Sequence, residues 1–106
     1  MVNFEDFKKV ELKIAKIIAA ERVEGSEKLL KLIVSLGEEE RQIVAGIGKQ
    51  YSPDGLPGKE IVVVANLEPR TLMGLESQGM LLAADDQGNP VLLTPEKEVS
   101  PGTGIR

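Results

Sequence analysis

The side chains that could take part in catalysis in this sequence are carboxylates, lysines and hydroxyls, because it contains no cysteine and no histidine. That absence excludes thiol nucleophiles, disulfides and the usual zinc ligands, and it removes the commonest general base. Asp85 and Asp86 form a candidate carboxylate pair for a metal ion. Because the two residues are adjacent on a predicted turn, their side chains diverge, and we expect neither a metal nor a cofactor. The composition therefore argues against an enzyme.

Lysines and arginines that could bind phosphate are unevenly distributed along the chain. The net charge is −4, so the basic total that is usual for a nucleic-acid binder is missing. Residues 8–37 nevertheless carry seven Lys/Arg against four Asp/Glu, whereas residues 51–106 carry four against eight. Screening at physiological salt limits the reach of a charge to about 8 Å. A local basic region on an acidic body can therefore still attract a polyanion.

No segment of the sequence predicts a membrane helix or a signal peptide. The longest apolar run, residues 61–65, is far shorter than the roughly 20 residues that a membrane span needs. The N-terminus has no basic region leading into an apolar stretch. We therefore expect a cytoplasmic protein with no membrane partner.

Short strands separated by turns dominate the predicted structure. Residues 10–20 alternate apolar and charged positions and then slip by one, which predicts a bulged, sharply bent strand. Shorter strands are predicted at 30–36, 41–45, 61–65, 80–84 and 91–93. Residues 46–59 and 66–79 are predicted to be connectors, with at most a helical turn around Tyr51. The pattern favours an all-β protein with a five-stranded closed barrel over a sandwich.

The first residues predict a short helix before the barrel. Asn3 can cap it, with Glu5 and Asp6 in the first turn, where the helix dipole favours acidic side chains. Phe4 and Phe7 are three residues apart and would share one face. We expect the two rings to cover one end of the core; the alternative is a contact with a partner.

Five blocks of this sequence, in order, resemble the tRNA-binding domain family. They are DFxKVEL (6–12), VEGSEKLL (23–30), RQIVAGI (41–47), VANL (64–67) and SQGMLLAA (77–84). The family includes the C-terminal extension of methionyl-tRNA synthetase, its detached beta-subunit form and stand-alone bacterial tRNA-binding proteins. The resemblance extends from Asp6 to about Gly102, and it is specific because the blocks occur together in the right order.

The resemblance implies both a fold and a function. It implies a five-stranded oligonucleotide-binding (OB) barrel over residues 1–106 as a single domain, with a short N-terminal helix and a C-terminal extension. It also implies a non-catalytic module that binds folded tRNA with little sequence preference, as a homodimer. The catalytic subunit of methionyl-tRNA synthetase becomes a candidate partner.

Two lysines and one arginine are the charged tRNA-binding candidates. Lys28 and Lys31 flank the start of the second strand, and Lys31 should lie on the outer face, opposite the buried leucines. Each could be an ordinary solvated lysine, but the family carries basic residues there. Arg70 lies in a connector, where a guanidinium suits a phosphate. For Arg41 we expect local pairing with residues 38–40 rather than a phosphate contact.

Three uncharged residues complete the predicted site. Asn66 could cap a turn or bind a nucleotide, and the sequence leaves both readings open. Ser77 could hold a phosphate or a ribose, and Met80 could offer an apolar platform to a base or a sugar. Gly79 between them should allow close approach of the backbone. The alternative is a well-packed loop, with Met80 in the core.

The chain contains only three aromatic residues, which bears on the kind of RNA it binds. Barrels that hold single strands stack bases on exposed aromatic rings, which contribute about 1–3 kcal/mol per base. With Phe4 and Phe7 assigned to the core, only Tyr51 remains. Binding through phosphates and shape, as for structured RNA, is therefore favoured. The competing hypothesis is a chaperone-like protein-interaction module on the same dimeric barrel, which the acidic net charge also allows.

Overall fold

The structure is a computed structural model that describes the whole chain, Met1–Arg106. One four-residue helix precedes nine strands, and a 3-10 turn at Pro53–Gly55 interrupts the long connector between the third and fourth strands. The elements are α1 (Phe4–Phe7), β1 (Leu12–Arg22), β2 (Leu30–Ser35), β3 (Glu40–Ala45), β4 (Glu60–Val64), β5 (Arg70–Leu72), β6 (Leu75–Ser77), β7 (Met80–Leu81), β8 (Ala83–Asp86) and β9 (Asn89–Leu92). No helix has the length and apolar character needed to cross a membrane.

The long first strand serves two neighbours, as its sequence pattern predicts. Residues 16–22 of β1 pair with β2, and residues 12–16 pair with β4, both antiparallel. The register with β2 shifts between Ile17 and Ala19, which marks a bulge at Ile18. The resulting sheet has the order β3-β2-β1-β4-β7. A bulge bends the strand and strengthens its twist, so that one strand can turn the corner of a barrel.

Hydrogen bonds between β3 and the segment before β7 close the barrel. The N–H of Gln78 donates to the carbonyl oxygen of Gln42 at 2.8 Å. In return, the N–H of Gln42 donates to Oε1 of Gln78 at 3.0 Å. These bonds join the two ends of the five-stranded sheet and leave a nearly closed, OB-like barrel. The predicted fold class is confirmed.

The core fills the barrel with side chains from alternate strand positions. In β2, Leu30, Leu32 and Val34 are fully buried, whereas Lys31 and Ile33 are not. The core cluster comprises Ala15, Ile17, Leu30, Leu32, Val34, Leu36, Ile43, Ala45, Ile47, Leu56, Ile61, Val63 and Leu81. The period-two pattern in the sequence therefore identifies the inward face of β2 correctly.

The C-terminal segment completes the edge of β1. The N–H of Ile14 donates to the carbonyl oxygen of Thr103 at 2.8 Å, and the N–H of Ile105 donates to that of Leu12 at 2.9 Å. Gly102 packs against the carbonyl of Leu36 so closely that no side chain would fit there. Residues 102–105 thus continue the edge of β1 where β2 ends.

Three sequence-based expectations differ from the structure. Phe4 and Phe7 do not cover the core, because α1 buries none of its residues and the two rings are 69% and 45% exposed. The segment 66–79, predicted only as a connector, contains the hairpin β5–β6. The strand predicted at 80–84 is divided between β7, which belongs to the barrel, and β8, which forms a separate hairpin with β9.

Candidate nucleic-acid interface

The β5–β6 hairpin is attached to the free edge of β3 through Ser77. This serine is only 4% exposed. Its hydroxyl accepts the N–H of Val44 at 3.0 Å and donates to the carbonyl oxygen of Gly79 at 2.9 Å. The Val44 side chain is buried although it does not belong to the core cluster, so residues outside the barrel interior must shield it from solvent. Ser77 therefore anchors the hairpin and completes the barrel edge.

Residues from four strands form a transverse row across this hairpin. Lys31 of β2 is opposite Val44 of β3. The backbone N–H of Val44 donates a hydrogen bond to Ser77 of β6, and Ser77 is opposite Arg70 of β5. We call Lys31, Val44, Ser77 and Arg70 the hairpin row. At about 4.8 Å per strand, its two cationic ends are roughly 15 Å apart along the surface. Three sequence-predicted site residues are thus brought into one line.

Lys31 lies on the outer face, and its charge is already paired. Its Nζ is 2.5 Å from Oε1 of Glu21, the residue opposite it on β1. The Lys31 side chain is 28% exposed and that of Glu21 is 63% exposed. Met73 and Leu75 of the hairpin line the same cleft, called here the hairpin cleft. A phosphate that approaches Lys31 must therefore compete with Glu21.

Arg70 and Lys28 carry charges that no neighbour neutralises. Arg70 is exposed at the start of β5 and makes no hydrogen bond or ion pair through its side chain; the ion pairs in the chain are Lys9–Asp6, Lys31–Glu21 and Arg41–Glu39. Lys28 is exposed in the β1–β2 loop, and its aliphatic stem crosses Gly46, where an added Cβ would be 2.9 Å from the lysine Cε. Both cations are available to a ligand.

Asn66 is already used in the structure of the domain. Its Oδ1 accepts the N–H of Glu11 at 2.9 Å, and its Nδ2 donates to the carbonyl oxygen of Lys9 at 2.7 Å. The two bonds hold the segment between α1 and β1 against the end of β4. This arrangement favours the structural reading of Asn66 over direct nucleotide contact.

Met80 lies apart from the hairpin row. It is opposite Val64 on the outer side of β4 and β7, and it is 41% exposed. The preceding Gly79 has φ +125°, and an added Cβ would be 2.8 Å from the carbonyl oxygen of Val64. The close backbone approach expected at Gly79 is therefore present, and it sets where Met80 emerges.

Known proteins share this sequence pattern along almost the whole chain. Residues 12–104 match the profile of the family described as "Putative tRNA binding domain". The chain belongs to this family. It is 57% identical over 104 residues to the methionine–tRNA ligase of Caldanaerobacter subterraneus subsp. tengcongensis, a match that covers 98% of this chain but 16% of that ligase. This tRNA-binding domain therefore spans only about a sixth of the relative's length.

Two solved structures have the same fold as this tRNA-binding domain. The MetRS related protein of Pyrococcus horikoshii is 38% identical, with a TM-score of 0.94 over 100% of this chain and 98% of the other. The chaperone CsaA of Bacillus anthracis str. Ames is 36% identical, with a TM-score of 0.92 over 100% and 99%. The family resemblance seen in the sequence is thus confirmed.

The tRNA-binding domain presents no aromatic platform on its barrel. Tyr51 is half-buried against the core, and its hydroxyl accepts the N–H of Leu92 at 3.0 Å. The exposed rings are Phe4 and Phe7, both on α1. Without exposed rings on the strands, base stacking has no surface on the barrel, and contacts to the sugar-phosphate backbone are favoured.

Local pairing accounts for Arg41, as expected. Its Nη2 is 3.0 Å from Oε1 of Glu39, and its Nη1 donates to the carbonyl oxygen of Ala65. No group of three or more histidine, cysteine, aspartate or glutamate side chains is arranged to hold a metal ion.

Sequence reasoning missed two residues that affect this interface, Glu21 and Arg22. Glu21 pairs with Lys31, and Arg22 borders the hairpin cleft. The cross-strand register between β1 and β2 would have identified both, because it sets Glu21 opposite Lys31 and Arg22 opposite Leu30. The sequence predicts a bulge in β1 but not the residue at which the register with β2 shifts, so the opposing pairs could not be read from the sequence.

Proposed function

We propose that this chain is a non-catalytic tRNA-binding module that meets the phosphates of a folded tRNA through Lys28, Lys31 and Arg70. The observation that carries the proposal is the hairpin row, with an unpaired guanidinium at one end and a lysine at the other. Ser77 positions the hairpin and Asn66 supports the N-terminal segment, while Met80 remains a predicted contact.

The relatives suggest the setting in which the module works. We propose that it raises the tRNA affinity of a methionine–tRNA ligase catalytic unit in the cytoplasm, because the matching curated relatives carry that name. A second binding patch on the same assembly increases overall affinity by raising the effective concentration of the ligand. The whole of residues 1–106 acts as one unit in this proposal.

A double substitution tests the site. Lys31→Gln with Arg70→Gln removes two phosphate contacts. Each contact contributes a salt slope of about 0.8, or about sixfold in affinity near 0.1 M salt. Because Glu21 offsets part of the charge of Lys31, we expect a loss of between about sixfold and fortyfold in the affinity for bulk tRNA, measured by gel shift. The charge-reversed variant, Lys31→Glu with Arg70→Glu, should lose more affinity. Part of its effect comes from the second carboxylate that it places beside Glu21.

A matched control separates the site from the net charge. Lys59 and Lys97 are exposed, form no ion pair and lie outside the hairpin cleft. Lys59→Gln with Lys97→Gln changes the net charge by the same amount. Equal losses in the two double variants would remove the site assignment, and a thermal unfolding curve confirms that each variant is folded.

We propose further that the module is a homodimer. Leu12, Val64 and Met80 form an apolar row across the outer side of β1, β4 and β7, in which Met80 is exposed, Leu12 is half-buried and Val64 is buried. Phe4 and Phe7 are exposed on α1, which Asn66 holds near the same end of β4. Clustered exposed apolar side chains are typical of surfaces that associate. This surface is separate from the hairpin row and leaves its cations free.

Light scattering tests the dimer directly. The wild type should have about twice the 11.5 kDa mass of one chain. Phe4→Ser with Phe7→Ser should lower the measured mass toward that of the monomer. Val91→Ser, at an exposed apolar residue of β9, should leave the mass unchanged. A monomeric wild type at micromolar concentration would refute this part of the proposal.

A chaperone-like module is the second candidate function. The observation that favours it is the close structural match to the chaperone CsaA, together with the exposed phenylalanines on α1. The two functions are separated by competition between bulk tRNA and an unfolded client protein for the purified domain. Client binding that the hairpin-row variants leave intact, with no measurable tRNA binding by the wild type, would favour the chaperone.

A further inference from the structure

Two loops meet at the end of β1 and interlock at Gly48. The N–H of Gly48 donates to the carbonyl oxygen of Lys28 at 2.6 Å. Gly48 is buried, and an added Cβ would be 2.7 Å from the carbonyl oxygen of Glu27 and 2.9 Å from that of Lys28. Only glycine fits such a close backbone approach. The loop before β2 and the loop after β3 therefore fix each other's position.

Arg22, the last residue of β1, ties the same two loops together. Its Nη1 donates to the carbonyl oxygen of Gly48 at 2.7 Å and, with a longer bond, to that of Glu27 at 3.4 Å. Arg22 forms no ion pair, so its charge stays available. A guanidinium has five N–H donors, and at least three of them remain free for a ligand.

Each of the tied loops carries one exposed lysine. Lys28 belongs to the first loop and Lys49 to the second, and neither forms an ion pair. A cleft of about 360 Å³, the loop cleft, lies between the loops and is lined by Arg22, Ser26, Glu27, Gly48 and Lys49. Glu27 is the one acidic residue of the lining. Two cations, Arg22 and Lys49, therefore line a space that holds one carboxylate, and Lys28 lies on the adjoining loop.

The lining of the loop cleft indicates the chemistry of its ligand. It contains no apolar or aromatic side chain, so a base has no ring to stack on. Free guanidinium donors beside ammonium groups suit a phosphate. Arg22 also lines the hairpin cleft with Lys31, so the two clefts are neighbours on one surface.

We propose that the loop cleft extends the phosphate-binding surface beyond Lys28, with Lys49 as a further contact to the RNA backbone. Arg22 contacts the same backbone and also positions the two lysines by holding their loops together. This inference rests on the proposed function, because it assumes that the domain binds tRNA, but it uses residues outside the hairpin row.

Neutralising Lys49 is the direct test. Lys49→Gln should lower the affinity for bulk tRNA about sixfold near 0.1 M salt and reduce the salt slope by about 0.8, the value for one lost contact. Lys97→Gln, which removes the same charge from the C-terminal segment, should change neither quantity. An equal effect of the two substitutions, or no effect of Lys49→Gln, overturns the proposal.

Arg22→Lys tests the positioning role. It keeps the charge but replaces the planar guanidinium, whose Nη1 reaches both carbonyl oxygens, with a differently shaped ammonium group. We expect a loss of affinity with the salt slope unchanged, whereas a purely electrostatic residue would be rescued by lysine. Wild-type affinity in Arg22→Lys would overturn the positioning role.

Failure of this inference differs from failure of the proposed function. If the wild type binds tRNA and the hairpin-row variants weaken it while Lys49→Gln does not, the loop cleft is refuted and the proposed function stands. If the wild type does not bind tRNA, both fall.

Discussion

Removing the carboxylate of Glu21 should tighten tRNA binding. In the free domain Lys31 is paired with Glu21 at 2.5 Å, so binding a phosphate requires Lys31 to leave or share that partner. Because the Glu21 side chain is 63% exposed, solvent weakens the pair. Exposed ion pairs contribute about 0.2–1 kcal/mol. Glu21→Gln should therefore raise the affinity about 1.4-fold to fivefold, with little change in the free energy of unfolding.

The assay is a salt titration of tRNA binding followed by fluorescence anisotropy. Glu21→Gln should steepen the dependence on salt by up to about 0.8 in slope, because Lys31 then acts as a full cation toward the phosphate. Glu96→Gln, at an exposed acidic residue of the C-terminal segment, makes the same charge change as a control.

A double-mutant cycle decides whether Lys31 is responsible. The gain from Glu21→Gln should vanish when Lys31 is glutamine, because contacting residues couple in such cycles. A gain that persists in the Lys31→Gln background would mean that only the overall charge matters. Unchanged affinity in every variant would show that Lys31 does not contact the RNA, and Lys31 would no longer be assigned to the binding site.

Three further predictions concern residues that hold the interface in place, each measured by urea unfolding and tRNA gel shift. Gly79→Ala should destabilise the fold by about 1–3 kcal/mol, because φ is positive there and the new Cβ would meet the carbonyl of Val64. Ser77→Ala should cost about 1–3 kcal/mol, because it leaves the buried N–H of Val44 without a partner. Asn66→Ala should cost about 1–2 kcal/mol through its two lost bonds and leave the tRNA affinity within twofold of the wild type.

The barrel could be predicted because its strands carry strong alternating patterns. The bent first strand followed from the phase slip in residues 10–20, and the inward face of β2 followed from Leu30, Leu32 and Val34. These features depend on local sequence alone. The family blocks then supplied the OB topology, which periodicity could not distinguish from other closed barrels.

The β5–β6 hairpin could not be predicted because its signals are too weak. Each strand has three residues, which is too short for a period-two pattern. Its turn is formed by Met73 at φ +49° and Gly74 at φ +80°. Hairpin turns with two positive φ values strongly favour asparagine or aspartate before the glycine, and methionine gives no such indication.

The roles of the candidate site residues depend on partners that are distant in the sequence. Asn66 bonds to residues 9 and 11, and Ser77 bonds to residue 44. The same amide and hydroxyl could equally face a nucleotide, so residue type alone left both readings open. The exposure of Phe4 and Phe7 could not be predicted either, because the sequence does not show whether a core has room for two rings.

The pairing of residues 102–105 with β1 also constrains how the chain folds. The strand that organises the barrel keeps part of one edge open until nearly the last residues of the domain are available. Contacts between such distant parts of a chain slow folding, because the intervening loop must close first. An unpaired strand edge meanwhile offers a template to other chains. Deleting residues 102–106 should therefore leave a protein that forms the rest of the sheet but tends to aggregate.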